Sequence, residues 1–250
     1  MGFARASEFG VEVPRDMIAK AWAYVAQHYR AEILAELRRD RASWEFIVLL
    51  HYATTSFPSI DWLGGAFTDA ERKEMLDYGF GKWKKLQPLI KCVLTLSLLR
   101  EQRRDDAKLV FASVMDSAKT TEDEGTFWKP EDRAWLWYND SIETHAFALR
   151  TLLEIDERDP KLDGMVVWLL LNKKLNQWKS TRATAEVIYS LVKYLDKKGA
   201  IGNREAVTVQ IGAQPKQELV FEPDQYKGKE QLRIAGKDVV PAMGKIEVKK

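Results

Sequence analysis

Between residues 14 and 198, apolar positions recur every three or four residues, the period of helices that turn one face to a core. After Gly199 that period stops. EAVTVQIGA alternates Val207, Val209 and Ile211 with Thr208 and Gln210, the two-residue period of a strand. KQELVF (216–221), EQLRIA (230–235) and KIEVKK (245–250) are further candidate strands, separated by turn-like YKGK, GK and MGK. The change of period places a domain boundary in KKGAIGN: residues 1–198 form a helical domain and 199–250 a β-strand segment.

Helix starts are marked chemically. Pro14 suits the first turn of a helix running to about Tyr29, and Ser43 caps one reaching Thr54. Thr68 and Glu71 have capping-box spacing, in which each side chain satisfies a backbone N–H that the first turn leaves free. Pro88, Asp105 or Asp106, Asp140, Asp159-Pro160, and Ser180 or Thr181 open the rest. On the last helix, Ala185, Ile188, Leu191, Val192 and Leu195 form one apolar stripe, with Val187 and Tyr194 a second, predicting cover on more than one side. IKCVLTLSLL reads the same way, whereas 105–118 is one-sided.

Trp83, Trp128 and Trp178 each follow a short polar stretch, FGKW, DEGTFW and LNQW, and each precedes a helix rich in Leu, Ala and Thr. Spacings of 45 residues (83 to 128) and 50 (128 to 178) fit an array of helical hairpins. Doubly covered helices alternating with singly covered ones predict an inner ring inside an outer ring. The tryptophans would then pack at the rim where neighbouring pairs meet.

QWKSTRATAEVIYSLVKYL resembles the last repeat of the thioester-bearing helical domain of α2-macroglobulins. SIETHAFALRTLLEIDERDPKLDGMVVWLLLNKK is similar to the preceding repeat of bacterial members, and EFGVEVPRDMIAKAWAYV and GKWKKLQPLIKCVLTLSLLREQ to earlier ones. VTVQIGAQPK through VVPAMGKIEVKK resembles the β-segment that follows. The likeness spans nearly the whole chain through the order of several motifs. It implies a mainly α fold, a partial α/α toroid of the terpenoid-cyclase type, followed by a short all-β segment belonging to a sandwich. It also implies a parent that traps proteases broadly, outside the cytoplasm in the periplasm or cell envelope. The expected partners are neighbouring β-domains of the parent and the target proteases.

One departure matters for chemistry. The family's thioester sits in a Cys-x-Glu-Gln motif, whereas Cys92 reads CVLT and Glu101-Gln102 has no cysteine two positions ahead. No functional residue carries over. The expectation is a non-catalytic fragment with no catalytic, cofactor or metal residues.

The remaining chemistry has a plain structural reading. With one cysteine, neither a disulfide nor a cysteine zinc site can form, and Cys92 lies in an apolar stripe. His28, His51 and His145 share no metal-ligand spacing, and Glu143, two positions from His145, points to another side of its helix. The acidic runs 122–124, 156–159 and 105–106 sit at helix ends and loops. An α/α-toroid enzyme acting on a glycan or isoprenoid is the rival reading, with Asp140, Glu143 or His145 in its lumen, and a helical-repeat interaction module is a third. No Asp-x-Asp-Asp run is present for terpenoid cyclisation.

A net charge of +2, from 39 basic and 37 acidic residues, excludes a strong electrostatic footprint for nucleic acid. No apolar run approaches the ~20 residues of a membrane span, and residues 1–20 carry Glu8 and Glu12 rather than a signal-peptide core. If the ring is incomplete, helices around Trp22, Tyr24 and Trp44 should leave apolar surface exposed, and the isolated chain should self-associate or be marginally stable.

Overall fold

The computed structural model describes residues 2–128, 140–201, 204–222 and 233–249. These are mainly helical, with a small antiparallel sheet near the C-terminus. The chain divides into two compact units, Met1–Leu191 and Val192–Lys250, the division falling within the last helix.

In the first unit, α1 (Gly2–Glu8) precedes α2 (Arg15–Arg38). Helix α2 continues two turns past Tyr29 because RAEILAELR keeps the apolar period, burying Leu34 and Leu37, until Asp40 turns left-handed at φ 56°. Helices α3 (Trp44–Thr54) and α4 (Asp69–Gly81) start as the caps predict: Ser43 Oγ accepts from Phe46 N–H, and Thr68 and Glu71 form the reciprocal capping box. Helix α5 (Pro88–Arg100) opens on its proline. Helix α6 (Arg104–Met115) has Arg103, not an aspartate, at its cap position. Asp105 and Asp106 lie in its first turn, where the helix dipole favours them.

A hairpin that the sequence pattern did not reveal follows: β1 (Lys119–Thr121) pairs with β2 (Gly125–Phe127) around the acidic turn 122–124. Helices α7 (Ser141–Ile155), α8 (Lys161–Leu171) and α9 (Thr181–Lys197) complete the helical part. Asp140 Oδ1 accepts from Glu143 N–H, Asp159 Oδ1 from Lys161 N–H, and Ser180 Oγ from Ala183 N–H. Strand β2 lies hard against α8. Gly125 has φ 74°, and a Cβ there would sit 2.1 Å from Gly164 O, so the approach needs both glycines.

Helix α5 packs against α3, α4, α6 and α7, which explains burial from Leu89 almost without break to Leu98. Helix α7 is buried from Ile142 to Leu153. Arg100, in the last turn of α5, donates from Nη1 to Tyr52 O, Thr55 Oγ1 and Ser56 Oγ, each at 3.1 Å, and stacks on the Tyr52 ring. It thereby satisfies the carbonyl end of α3 with a cation, as the helix dipole favours.

The expected double stripe of α9 is a misreading. Its buried face is Ala183, Glu186, Val187 and Ser190, while Ile188 and Leu195 are exposed. Ser190 Oγ of α9 donates to Ala146 O of α7 at 2.9 Å. The helices expected to leave apolar surface exposed do so at Met17, Tyr24 and Tyr29 of α2 and Phe46 of α3, although Trp22 is half-buried, edge-on to Phe57 and Phe67, and Trp44 is half-buried beneath Lys82 and Lys85.

In the second unit, β3 (Glu205–Ile211) lies between β4 (Gln217–Phe221) and β5 (Ile246–Lys249), both antiparallel to it. The register sets Val207 beside Leu219, Val209 beside Val248 and Ile211 beside Ile246, so the period-two pattern makes one face apolar. Of the expected strand 230–235, residues 230–232 lie outside the described residues and 233–235 are not in a strand.

Candidate functional site

Two of the three repeat tryptophans make the same pair of bonds. Trp128 donates its indole N–H to Val114 O near the end of α6 (2.7 Å) and its backbone N–H to His145 Nε2 early in α7 (3.0 Å). Trp178 donates its indole N–H to Leu169 O near the end of α8 (2.7 Å) and its backbone N–H to Thr184 Oγ1 early in α9 (3.0 Å). Each buried tryptophan thus clamps the end of one helix to the start of the next. Trp83 departs from this. It lies half-buried in a 3-10 turn (Trp83–Lys85) under Lys84 and Lys91, because the short α4–α5 connection gives no excursion to bring it inward.

His145 ties Trp128 to α8. Nε2 accepts from Trp128, so Nδ1 carries the proton and donates to Ser141 O at 2.6 Å. The ring stacks on Trp168 of α8 with centroids 3.6 Å apart, and meets Trp128 edge-on. Burial pushes its pKa down to about 4. Both nitrogens are occupied, which leaves no lone pair for a substrate.

His51, in α3, is buried with neither ring nitrogen hydrogen-bonded to protein, and burial with nearby Arg72 and Arg100 lowers it to about 4. His28 is exposed and rests on Tyr24. The three histidines come from separate places, and among the described residues no His, Cys, Asp and Glu group has metal-holding geometry. Cys92 is fully buried, its thiol pushed up to about 12 by burial, so the thiolate a nucleophile needs is suppressed.

Asp140 pairs with Lys179 at 2.6 Å. Glu143, raised mainly by burial, pairs with Arg182 Nε at 2.7 Å. Both acids tie α7 to the start of α9.

The pH response follows from the two buried histidines. Each is neutral when folded, so unfolded chains take up protons near pH 6.5 and folded chains only near pH 4. Stability is fully present above pH 6.5 and falls as pH drops through that window, by about 1.4 kcal/mol per pH unit for each histidine. In urea titrations at pH 7 and pH 5, His51→Leu should be no less stable than the parent at pH 7, since it removes unpaired polar atoms, and should lose less at pH 5. An unchanged pH slope would overturn this.

A charged cluster that sequence reading missed lies between α1, α7 and α9. Glu186 Oε2 accepts from Arg150 Nη2 and from Arg5 Nη2, each at 2.8 Å. Arg150 is only 4% exposed and stacks on Phe147 (4.0 Å) and Tyr189 (4.9 Å), with Arg5 4.6 Å over Tyr189. Tyr189 donates to Glu8, and burial followed by that bond raises its pKa. The available signal was a charge inside each apolar helix: Arg150 in AFALRTLL and Glu186 in ATAEVIYSL.

No helix among the described residues is long and apolar enough to cross a membrane. Set against known protein-family models and curated proteins, the chain matches none.

Proposed function

We propose that this chain is the non-catalytic helical part of an α2-macroglobulin-like protease trap, an arc of α/α toroid followed by strands of a β-sandwich. The work of its helical unit is mechanical: a packed body that docks on neighbouring β-domains and releases them when a protease cuts the parent. The repeated tryptophan clamp carries the reading. It joins α6 to α7 and α8 to α9 with the same bonds, as stacked helical pairs require. The occupied state of the reactive groups supports it: Cys92 is buried and protonated, and His145, Glu143 and Asp140 are engaged by Trp128, Arg182 and Lys179. A toroid enzyme would need those three groups free to meet a substrate. The same resemblance places the parent in the periplasm or cell envelope.

The test uses the full-length polypeptide that carries this chain, mixed with trypsin. A trap leaves trypsin active on a small chromogenic peptide while blocking its hydrolysis of a large protein substrate. Equal hydrolysis of both substrates, with and without the polypeptide, would overturn the proposal.

A further inference from the structure

Helix α8 turns an apolar side to water. One side of it is buried in the helical unit, yet Val167, Leu170 and Leu171 stay 42%, 51% and 60% exposed. Spacings of three and four residues put these three on one side of the helix. Asp163, in the first turn, is the only acid on α8. A helix apolar all round is ordinarily covered all round.

Four residues after Leu171, Leu175 is 93% exposed, the highest value among the large hydrophobic residues described. It stands in a tight turn closed by two bonds, Lys174 N–H to Gln177 O (2.9 Å) and Gln177 N–H to Lys174 O (3.1 Å). Its φ of 54° is left-handed, a conformation that asparagine or glycine adopts at less cost than a bulky side chain. At that exposure no packing within the chain offsets the strain, so the projecting leucine acts on something outside it.

The charge at this end selects the partner. Between Asp163 and Glu186 the sequence has four basic residues and no acidic one. Lys179 and Arg182 are paired with Asp140 and Glu143. The ammonium groups of Lys173 and Lys174, beside Leu175, have no ion-pair partner among the described residues. A second copy fits poorly. The four apolar side chains expose on the order of 500 Å², short of the roughly 800 Å² per partner of a stable interface. A two-fold pairing would also set the lysines of one copy against those of the other. An apolar tip with cations at its margin matches the boundary between acyl chains and anionic headgroups.

We infer that the exposed side of α8 and the turn at 174–177 form a peripheral docking surface for an anionic lipid bilayer. Leu175 enters the acyl boundary while Lys173 and Lys174 meet the headgroups. This inference stands apart from the protease-trap proposal, since it rests on α8 and the turn after it.

The experiment sediments the whole chain with vesicles of phosphatidylcholine alone or mixed equally with phosphatidylglycerol. The chain should bind the mixed vesicles at low salt and bind phosphatidylcholine at least tenfold more weakly, since each lysine near an anionic surface contributes about fivefold. Leu175→Asn, which suits the left-handed turn, should keep the thermal midpoint and weaken binding to mixed vesicles about tenfold, the effect of withdrawing one leucine from an apolar phase. Lys173→Gln with Lys174→Gln should bring binding on mixed vesicles down to the phosphatidylcholine level. If Leu175→Asn loses helical circular dichroism, Leu175→Gly provides the same measurement. Absent binding, equal binding to both vesicles, or binding unchanged by the Leu175 substitution would overturn the inference. So would light scattering that shows a dimer which Leu175→Asn dissociates, since the surface would then belong to a second copy.

Discussion

Changing Trp178 to alanine should lower the unfolding free energy by about 3–5 kcal/mol, the range for deleting a buried tryptophan from a packed site. The residue is 5% exposed, and its loss also orphans the Leu169 carbonyl that the indole satisfies. Trp128→Ala should cost a similar amount, because its indole is equally buried and bonds Val114 O at the same distance. Trp83→Ala should cost about 1 kcal/mol, since a half-buried ring under lysines gives up less area and its cation–π contacts are partly solvated. Trp178→Phe separates the terms: it keeps most of the apolar volume and loses the N–H, a difference of about 1–3 kcal/mol. Urea titration of the four variants checks the ranking. A cost at Trp83 equal to that at Trp128 and Trp178 would remove the distinction between clamp and surface ring.

Glu186→Leu should be comparably severe, at about 3–5 kcal/mol, because it leaves the Arg150 guanidinium buried without its carboxylate. Arg150 Nε and Nη1 already have no hydrogen-bond partner in the protein, so the remaining bond to Glu186 matters more. Pairing Glu186→Leu with Arg150→Met should restore most of the loss, since an apolar pair of similar volume replaces an ion pair whose desolvation roughly offsets its attraction. A double mutant as unstable as the sum of its parents would show that the two side chains act separately. Arg5→Ala should cost less than 1 kcal/mol by itself, because its side chain keeps solvent contact and Glu186 retains Arg150.

What the sequence made legible was local. Ser43, Thr68, Asp140 and Ser180 announce helix starts because a cap bonds a backbone group two or three residues away. The burial of α5 was legible because an apolar helix has no solvent face to offer. The face of α9 was not. Ile188 and Leu195 are the more hydrophobic residues, yet Glu186 and Ser190 are buried, since their partners Arg5, Arg150 and Ala146 lie far away in sequence. The β1–β2 hairpin was missed for a related reason. TEDEG looks like a solvated loop, and its conformation depends on Gly125 meeting Gly164 of α8. At the candidate site, the tryptophan spacing was visible, but which rings turn inward depends on connection length, which separates Trp83 from the other two.

The central claim is that Trp128 and Trp178 are equivalent clamps locking successive helices, with His145 seated between Trp128 and Trp168. Indole hydrogen exchange, followed by nuclear magnetic resonance on chain labelled with 15N at tryptophan, tests it ring by ring. The account predicts that the Trp128 and Trp178 indole protons exchange only through global unfolding, at matching rates, while that of Trp83 exchanges orders of magnitude faster. Trp128 or Trp178 exchanging as fast as Trp83 would contradict it.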